Sequence, residues 1–231
     1  MRYVAIAIVA SVLFSWQTVA ESKEAAAVEK ADLVEETRRQ TTDIAPAALA
    51  RKSSDPYQQV ELVTDDLIDA ITLYKPDYPA NEMAFFAEIT HILTPHVDFQ
   101  SMARSVMGPY RKVASDIQLT QFVEVFKTGL MQTYGRGLLS FNNEKIVIVG
   151  RRVIEEDQRK VSVRQEIHAG KNIYPLSYTL RRRGSDGWMI TNVVINGINL
   201  GKTLRNQFVQ ATQKNAGNID AVIARWSAEA N

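Results

Sequence analysis

Cysteine is absent from this chain of 231 residues. That absence excludes disulfides, thiolate metal sites and a cysteine nucleophile, and it fits an oxidising or a reducing compartment equally. An excess of charge is missing too: 27 Lys and Arg face 26 Asp and Glu, for a formal net charge of +1. A chain so balanced carries no general attraction to a polyanion, and nucleic acid is not expected as a partner. Catalytic signatures are also lacking, with no G-x-S-x-G, H-E-x-x-H or glycine-rich phosphate loop. Histidine is scarce. His91 and His96 stand five apart, so a helix would not bring them to one face as it does a ligand pair at i and i+4, and His168 precedes Ala169-Gly170 at an expected turn. No metal is expected.

What is present begins with an apolar leader. Arg2 is followed by YVAIAIVASVLFSW, a run of signal-peptide length, and then by Thr18-Val19-Ala20, whose small side chains suit a signal peptidase. The run falls short of the roughly 20 residues that span a bilayer, so the expectation is export of a soluble protein with cleavage after Ala20. From Glu21 to Ser54 the composition turns to Ala, Glu, Lys, Arg and Thr, without an aromatic residue. Such a stretch cannot offset its ordering entropy and reads as a mobile charged linker ahead of a domain at 55–231.

The domain opens with helical signals. Asp55-Pro56 suits a helix start, and Val60, Val63, Leu67, Ile71 and Tyr74 recur on a helical period until Pro76 and Pro79. Phe85, Ile89, Leu93 and Val97 share a face on a second helix. Asp98 can cap a third carrying Phe99, Met102, Ala103 and Val106, closed at Gly108-Pro109. Ser115 and Gln118 form a capping box for a fourth, along which Phe122, Phe126, Leu130, Tyr134 and Leu138 step by four.

After Phe141 the period changes. KIVIVGRRVIE, RKVSVRQEIHAG, IYPLSYTLRRRG and GWMITNVVIN are β-rich and separated by short polar connections, which predicts a four-stranded antiparallel meander. Val161, Val163, Gln165 and Ile167 would face the helices, and Ser162, Arg164, Glu166 and His168 the solvent. The Asn196-Gly197 step resembles a hairpin turn, yet Leu200, Leu204 and Phe208 follow at a helical spacing. The expectation is a direct change from strand to helix with Asn199 as N-cap, and a last helix with Ile219, Val222, Ile223 and Trp226 after Gly217.

DPYQQVELVTDDLIDAI, HVDFQSMARSVMGPYRKVASDIQLTQFVEVFKTGLMQTYGRGL, the strand of Tyr178, WMITNVVINGINLGKTLRNQF and IDAVIARW, in that order, resemble the MlaC family of periplasmic phospholipid carriers, the toluene-tolerance proteins. The resemblance covers about residues 55 to 227. It implies an α+β, NTF2-like fold: a curved four-stranded antiparallel sheet wrapped by about six helices around an apolar cavity for phospholipid tails. It also implies a monomeric, non-enzymatic carrier without cofactor, held in the periplasm. Its partners would be an outer-membrane lipoprotein-porin complex and an inner-membrane ABC transporter with an MCE-domain protein, and its role the upkeep of outer-membrane lipid asymmetry. Asn196 stands where the family usually has an acid, and Pro109-Tyr110 where it usually has an aromatic pair. The alternative from another class is an exported NTF2-like enzyme acting on a small apolar substrate, with Asp98 as general base. Helix capping accounts for Asp98 without such chemistry.

On that resemblance the cavity would be lined by Leu93, Val97, Phe99, Met102, Val106, Met107 and Tyr110 from the second and third helices and their exit. Phe122, Phe126, Leu130 and Tyr134 would join them from the fourth helix, and Val163, Tyr178, Val193 and Ile195 from the sheet. The same residues would equally fill a core, with Met102, Met107 and Met131 as adaptable fillers. Arg181, Arg182 and Arg205 are candidates for lipid headgroups or partner surfaces, against the plainer reading of solvated strand and helix ends.

Overall fold

The computed structural model describes residues 52–184 and 187–229, so the expected leader at 1–20 and most of the charged segment at 21–54 lie outside the described residues. Helix α1 (Pro56–Tyr74) starts as its sequence dictates. The Asp55 carboxylate accepts the Tyr57 N–H at 2.8 Å, and proline occupies the first turn, where no donor is needed. A 3₁₀ turn at Lys75–Asp77 leads to α2 (Glu82–Leu93) and α3 (Phe99–Val106). A second 3₁₀ turn at Gly108–Lys112 precedes α4 (Asp116–Leu138), whose capping box is complete. There the Gln118 N–H donates to Ser115 Oγ at 3.1 Å, and the Ser115 N–H donates to Gln118 Oε1 at 3.0 Å.

The sheet runs β1 (Lys145–Val149), β2 (Lys160–Ala169), β3 (Asn172–Arg182), β4 (Trp188–Ile195) and β5 (Ile198–Asn199), antiparallel and in chain order. The fifth strand corrects the expected direct exit into a helix. Asn196 and Gly197 both take positive φ, 50° and 82°, and Ile195 pairs with Ile198 across the two-residue turn. This is the geometry Asn-Gly favours in tight hairpins. The return strand is only two residues long because Asn199 then caps α5 (Leu200–Lys214), accepting the Lys202 N–H at 3.0 Å. Helix α6 (Ile219–Glu229) follows.

Apolar side chains gather in two cores. The larger lies among the helices and includes Phe85, Ile89, Phe122, Phe126, Phe208 and Val222. The Phe122 ring stands 4.7 Å from that of Phe208 and 5.4 Å from that of Trp226. The smaller core sits on the sheet, with Tyr57 and Val60 of α1 against Val161, Val163, Leu180, Trp188 and Ile190. Val97 packs against both. The segment carrying it is pinned to β4, with Ile190 N–H donating to the His96 carbonyl at 2.8 Å and Asp98 N–H to the Ile190 carbonyl at 2.9 Å. A bulge between Thr179 and Leu180 lies beside this junction.

His96 itself is 1% exposed. Gln59 Oε1 accepts the Ser53 N–H at 2.8 Å, so the Gln59 amide nitrogen is the atom left to donate to His96 Nδ1. A protonated imidazole would set N–H against N–H. Burial first, and then the charge of Lys52, hold the His96 pKa below its usual value, with Asp66 opposing them.

Two outcomes follow from these cores. Phe208→Ala should cost about 3–5 kcal/mol in urea unfolding, because a fully buried ring leaves a cavity that its aromatic neighbours cannot close. For His96, the unfolded chain binds the proton more readily than the folded one. Stability should therefore hold above about pH 6.5 and fall below it, by at most about 1.4 kcal/mol per pH unit, until the folded pKa is passed. Urea midpoints between pH 7.5 and 5 should show the slope, and His96→Gln should flatten it.

Candidate functional site

The inner face of the sheet is set by strand alternation. On β2 the buried Val161, Val163 and Gln165 alternate with the exposed Lys160, Ser162 and Arg164. Cross-strand register extends this face through Leu180, Tyr178 and Leu176 on β3, Ile190, Val193 and Ile195 on β4, and Ile148 on β1. Helix α1 packs on β2, and α3 and α5 pack on β4. The end that carries Val161, Leu180, Trp188 and Ile190 is buried, with Tyr57 and Val60 of α1 and Val97 packed against it. Toward the other end the cover thins. Ile148, Ile167, Leu176, Tyr178, Val193 and Ile195 are only half-buried, although each is apolar or aromatic. A contiguous apolar wall left half covered marks a place for an apolar occupant.

One polar chain crosses this wall. The Tyr178 hydroxyl donates to Gln165 Oε1 at 2.9 Å, Gln165 Nε2 donates to Thr64 Oγ1 at 2.9 Å, and Thr64 Oγ1 donates to the Val60 carbonyl at 2.8 Å. Each of the three side-chain atoms donates at least one bond within the chain. Tyr178 as a whole keeps partial exposure, while burial of its hydroxyl raises the phenol pKa well above the usual value. Burial also raises the Tyr134 phenol.

The residues expected to line a cavity divide between two places. Val163, Tyr178, Val193 and Ile195 share the inner face of the sheet. Met107, Phe122 and Phe126, all 0% exposed, lie in the helical core, and Phe99, Met102 and Val106 belong to the same cluster. Tyr110 packs at its edge, 6.4 Å from Phe208 between ring centres. Leu93, Leu130 and Tyr134 are half-buried on the helices, whereas Val97, expected on the second helix, is half-buried beyond its end at Leu93, in the segment bridged to Ile190. The arginines are dispersed as well. Arg181 is exposed, whereas Arg182 stacks 4.9 Å over Trp188 and donates to the Glu156 carbonyl at 2.5 Å. Arg205 lies on α5 beside a separate cleft of about 250 Å³.

Asp98 is occupied. Its Oδ1 accepts the Ser101 N–H at 2.9 Å, and its Oδ2 takes Arg183 Nε at 2.8 Å, while Arg183 also donates to Ser101 Oγ at 2.8 Å. Both oxygens serve the start of α3, the arrangement of a cap rather than of a free base. Sequence reasoning missed Arg183 in this role, because nothing local links it to a residue 85 positions away. It also missed Thr64. For Gln165 a signal existed: an amide in the apolar register of a strand needs a buried partner. Among the described residues no group of side chains is placed to hold a metal ion, and no helix is long and apolar enough to cross a membrane.

Fold and wall define a class: one open antiparallel sheet of NTF2-like form, backed by helices, with part of its apolar face uncovered. Within that class the chain belongs to the MlaC protein family, whose model matches residues 61–228. It is 36% identical over 177 residues to the toluene tolerance protein ttg2D of Pseudomonas putida, covering 75% of this chain and 80% of that protein. It is 23% identical over 181 residues to the intermembrane phospholipid transport system binding protein MlaC of Haemophilus influenzae, covering 77% and 83%. In fold it is similar to a phospholipid-binding protein of Ralstonia solanacearum solved in complex with a phospholipid, with a TM-score of 0.65 and 23% identity over 77% of this chain and 99% of that one.

Tyr178→Phe should lower stability by about 1–3 kcal/mol in urea unfolding, since Gln165 Oε1 loses its donor while staying buried. Adding Gln165→Leu to that variant should recover part of the loss.

Proposed function

We propose that this protein carries phospholipid, holding the acyl tails against the half-covered inner face of the sheet. The observation that carries the reading is the wall of Ile148, Leu176, Tyr178, Val193 and Ile195, five apolar or aromatic side chains that share the inner face of the sheet and stay only half-buried there. The named function of the Haemophilus relative and the ligand of the Ralstonia structure support it. Two acyl chains hold roughly 30 methylenes, so keeping them from water is worth on the order of 25 kcal/mol. A bilayer offers nearly the same. A carrier therefore needs a cavity about as apolar as the membrane, so that uptake and release are both close to isoenergetic.

Shuttling follows from that balance. On this reading the protein works in the periplasm, after loss of a leader near Ala20. It exchanges lipid as a monomer between an outer-membrane lipoprotein-porin complex and an inner-membrane ABC transporter with an MCE-domain protein, and so sustains outer-membrane lipid asymmetry. The chain needs no catalysis for this, and the engaged carboxylate of Asp98 favours the carrier over a hydrolase or isomerase built on the same fold.

Native mass spectrometry of the purified protein should show one phospholipid per chain. Val193→Glu, which places a charge on the wall, should lower that occupancy at least about tenfold while the circular dichroism of the folded domain persists. A folded variant with undiminished lipid, or a wild-type protein that never carries any, would overturn the reading.

A further inference from the structure

The cleft beside Arg205 is distinct in chemistry from the apolar wall. It opens between α3, the end of β4 and the first turn of α5, and it holds about 250 Å³, several times the roughly 30 Å³ share of one water. Met102 and Val106 form its apolar side, and both belong to the helical core. Asn192, Lys202 and Arg205 form the polar side. Among the described residues neither Lys202 nor Arg205 has a carboxylate partner. Arg205 is also supported: it lies across Gly108, where a Cβ would stand 3.1 Å from Arg205 Nε, so the bare backbone of that turn makes room for it. The amide N–H groups of Gly201 and Lys202 are taken by the side chains of Asn192 and Asn199, so the cations rather than the helix end give the cleft its sign.

The surroundings reinforce that sign. The lining residues come from stretches 99–115 and 188–219, which contain Arg104, Arg111, Lys112, Lys202, Arg205 and Lys214 and no Asp or Glu. Of the aspartates that flank them, Asp98 is held by Arg183 and Asp220 accepts from Gln118. Over the whole chain the charges nearly cancel. The acids are concentrated elsewhere, with Glu61, Asp65, Asp66 and Asp69 on α1. Charge segregated in this way gives a positive potential where a concave surface can focus it.

We infer that this cleft binds a phosphate ester, with Lys202 and Arg205 on the phosphate oxygens and Met102 and Val106 against the carbon skeleton beside them. The inference rests on the lipid-carrier reading for what brings the phosphate, namely a glycerophospholipid headgroup, while free phosphate shares the recognised chemistry. Arginine and lysine differ in the work: the guanidinium fork can take two oxygens, and the ammonium adds a point charge.

The test compares two lipids with the same tails. The full chain, stripped of lipid in detergent, is incubated with vesicles of phosphatidylcholine doped either with phosphatidylglycerol or with diacylglycerol, and occupancy is read by native mass spectrometry. Wild type should take up phosphatidylglycerol about tenfold more readily than diacylglycerol, and Lys202→Gln with Arg205→Gln should bring that ratio close to one. A wild-type ratio near one, or a ratio kept by the folded double variant, would overturn the inference. Should wild type take up neither lipid, the carrier reading fails instead, and titration with inorganic phosphate decides the cleft. Saturable amide shifts at Gly201, Lys202 and Arg205 that vanish in the double variant would sustain it, and their absence in wild type would overturn it.

Discussion

The two backbone hydrogen bonds between Ile190 and the His96–Asp98 segment are the junction on which the rest of the structure depends. The helical core and the sheet core are separate clusters, and Val97, between those bonds, packs against both. Around it the reinforcement is dense. Asp98 caps α3 and is clamped by Arg183 from the end of β3, His96 is anchored through Gln59 to α1, and Trp188 Nε1–H donates to the Ser54 carbonyl at 3.0 Å. A domain with one continuous core would need no such junction. This one does because its sheet is not fully packed by its helices, so attachment is concentrated at one end and the other stays open.

That division separates residues whose side chains are fully packed from residues left half-covered. Phe122, Phe126 and Phe208 contribute to folding through rings a few ångströms apart, all of them fully buried. Val193, Ile195 and Leu176 are half-buried and contribute correspondingly less to folding. Residues that leave apolar area uncovered in the free protein can gain burial when a ligand arrives. Residues already packed cannot.

Much of this was legible in the sequence. The stripes of α1, α2 and α4, the caps Asp55, Asp98, Ser115 and Asn199, and the alternation of β2 are local patterns, and local hydrogen bonding and periodicity determine them. The Asn196-Gly197 step was half legible: the dipeptide specified a hairpin and the later apolar spacing specified a helix, and the chain satisfies both with a two-residue strand between them. Core and wall could not be told apart, because Val163 and Gln165 alternate on the same face of β2 as Ile167, and only tertiary packing decides how far each is buried. Arg183 and Thr64 escaped for a related reason, and Arg205 was a candidate without Lys202 or the cleft they share. The partners of Arg183 and Thr64 are distant in sequence, and single polar residues carry no period.

The polar chain through Tyr178 resolves an apparent conflict in the wall. A hydroxyl and an amide inside an apolar cleft would ordinarily oppose an apolar ligand, because each would lose water without a replacement partner. Here Tyr178 donates to Gln165, Gln165 to Thr64, and Thr64 to a helix carbonyl, so the donors are satisfied before any ligand arrives. Tyr178 therefore offers the cleft no unpaired hydroxyl. The same three bonds run from β3 through β2 to α1 and hold the wall to the helix at the margin of the sheet core. A chain of this kind ties the cleft to α1 without leaving an unpaired hydroxyl in it, and both properties fit the proposal that acyl tails are taken up and released there.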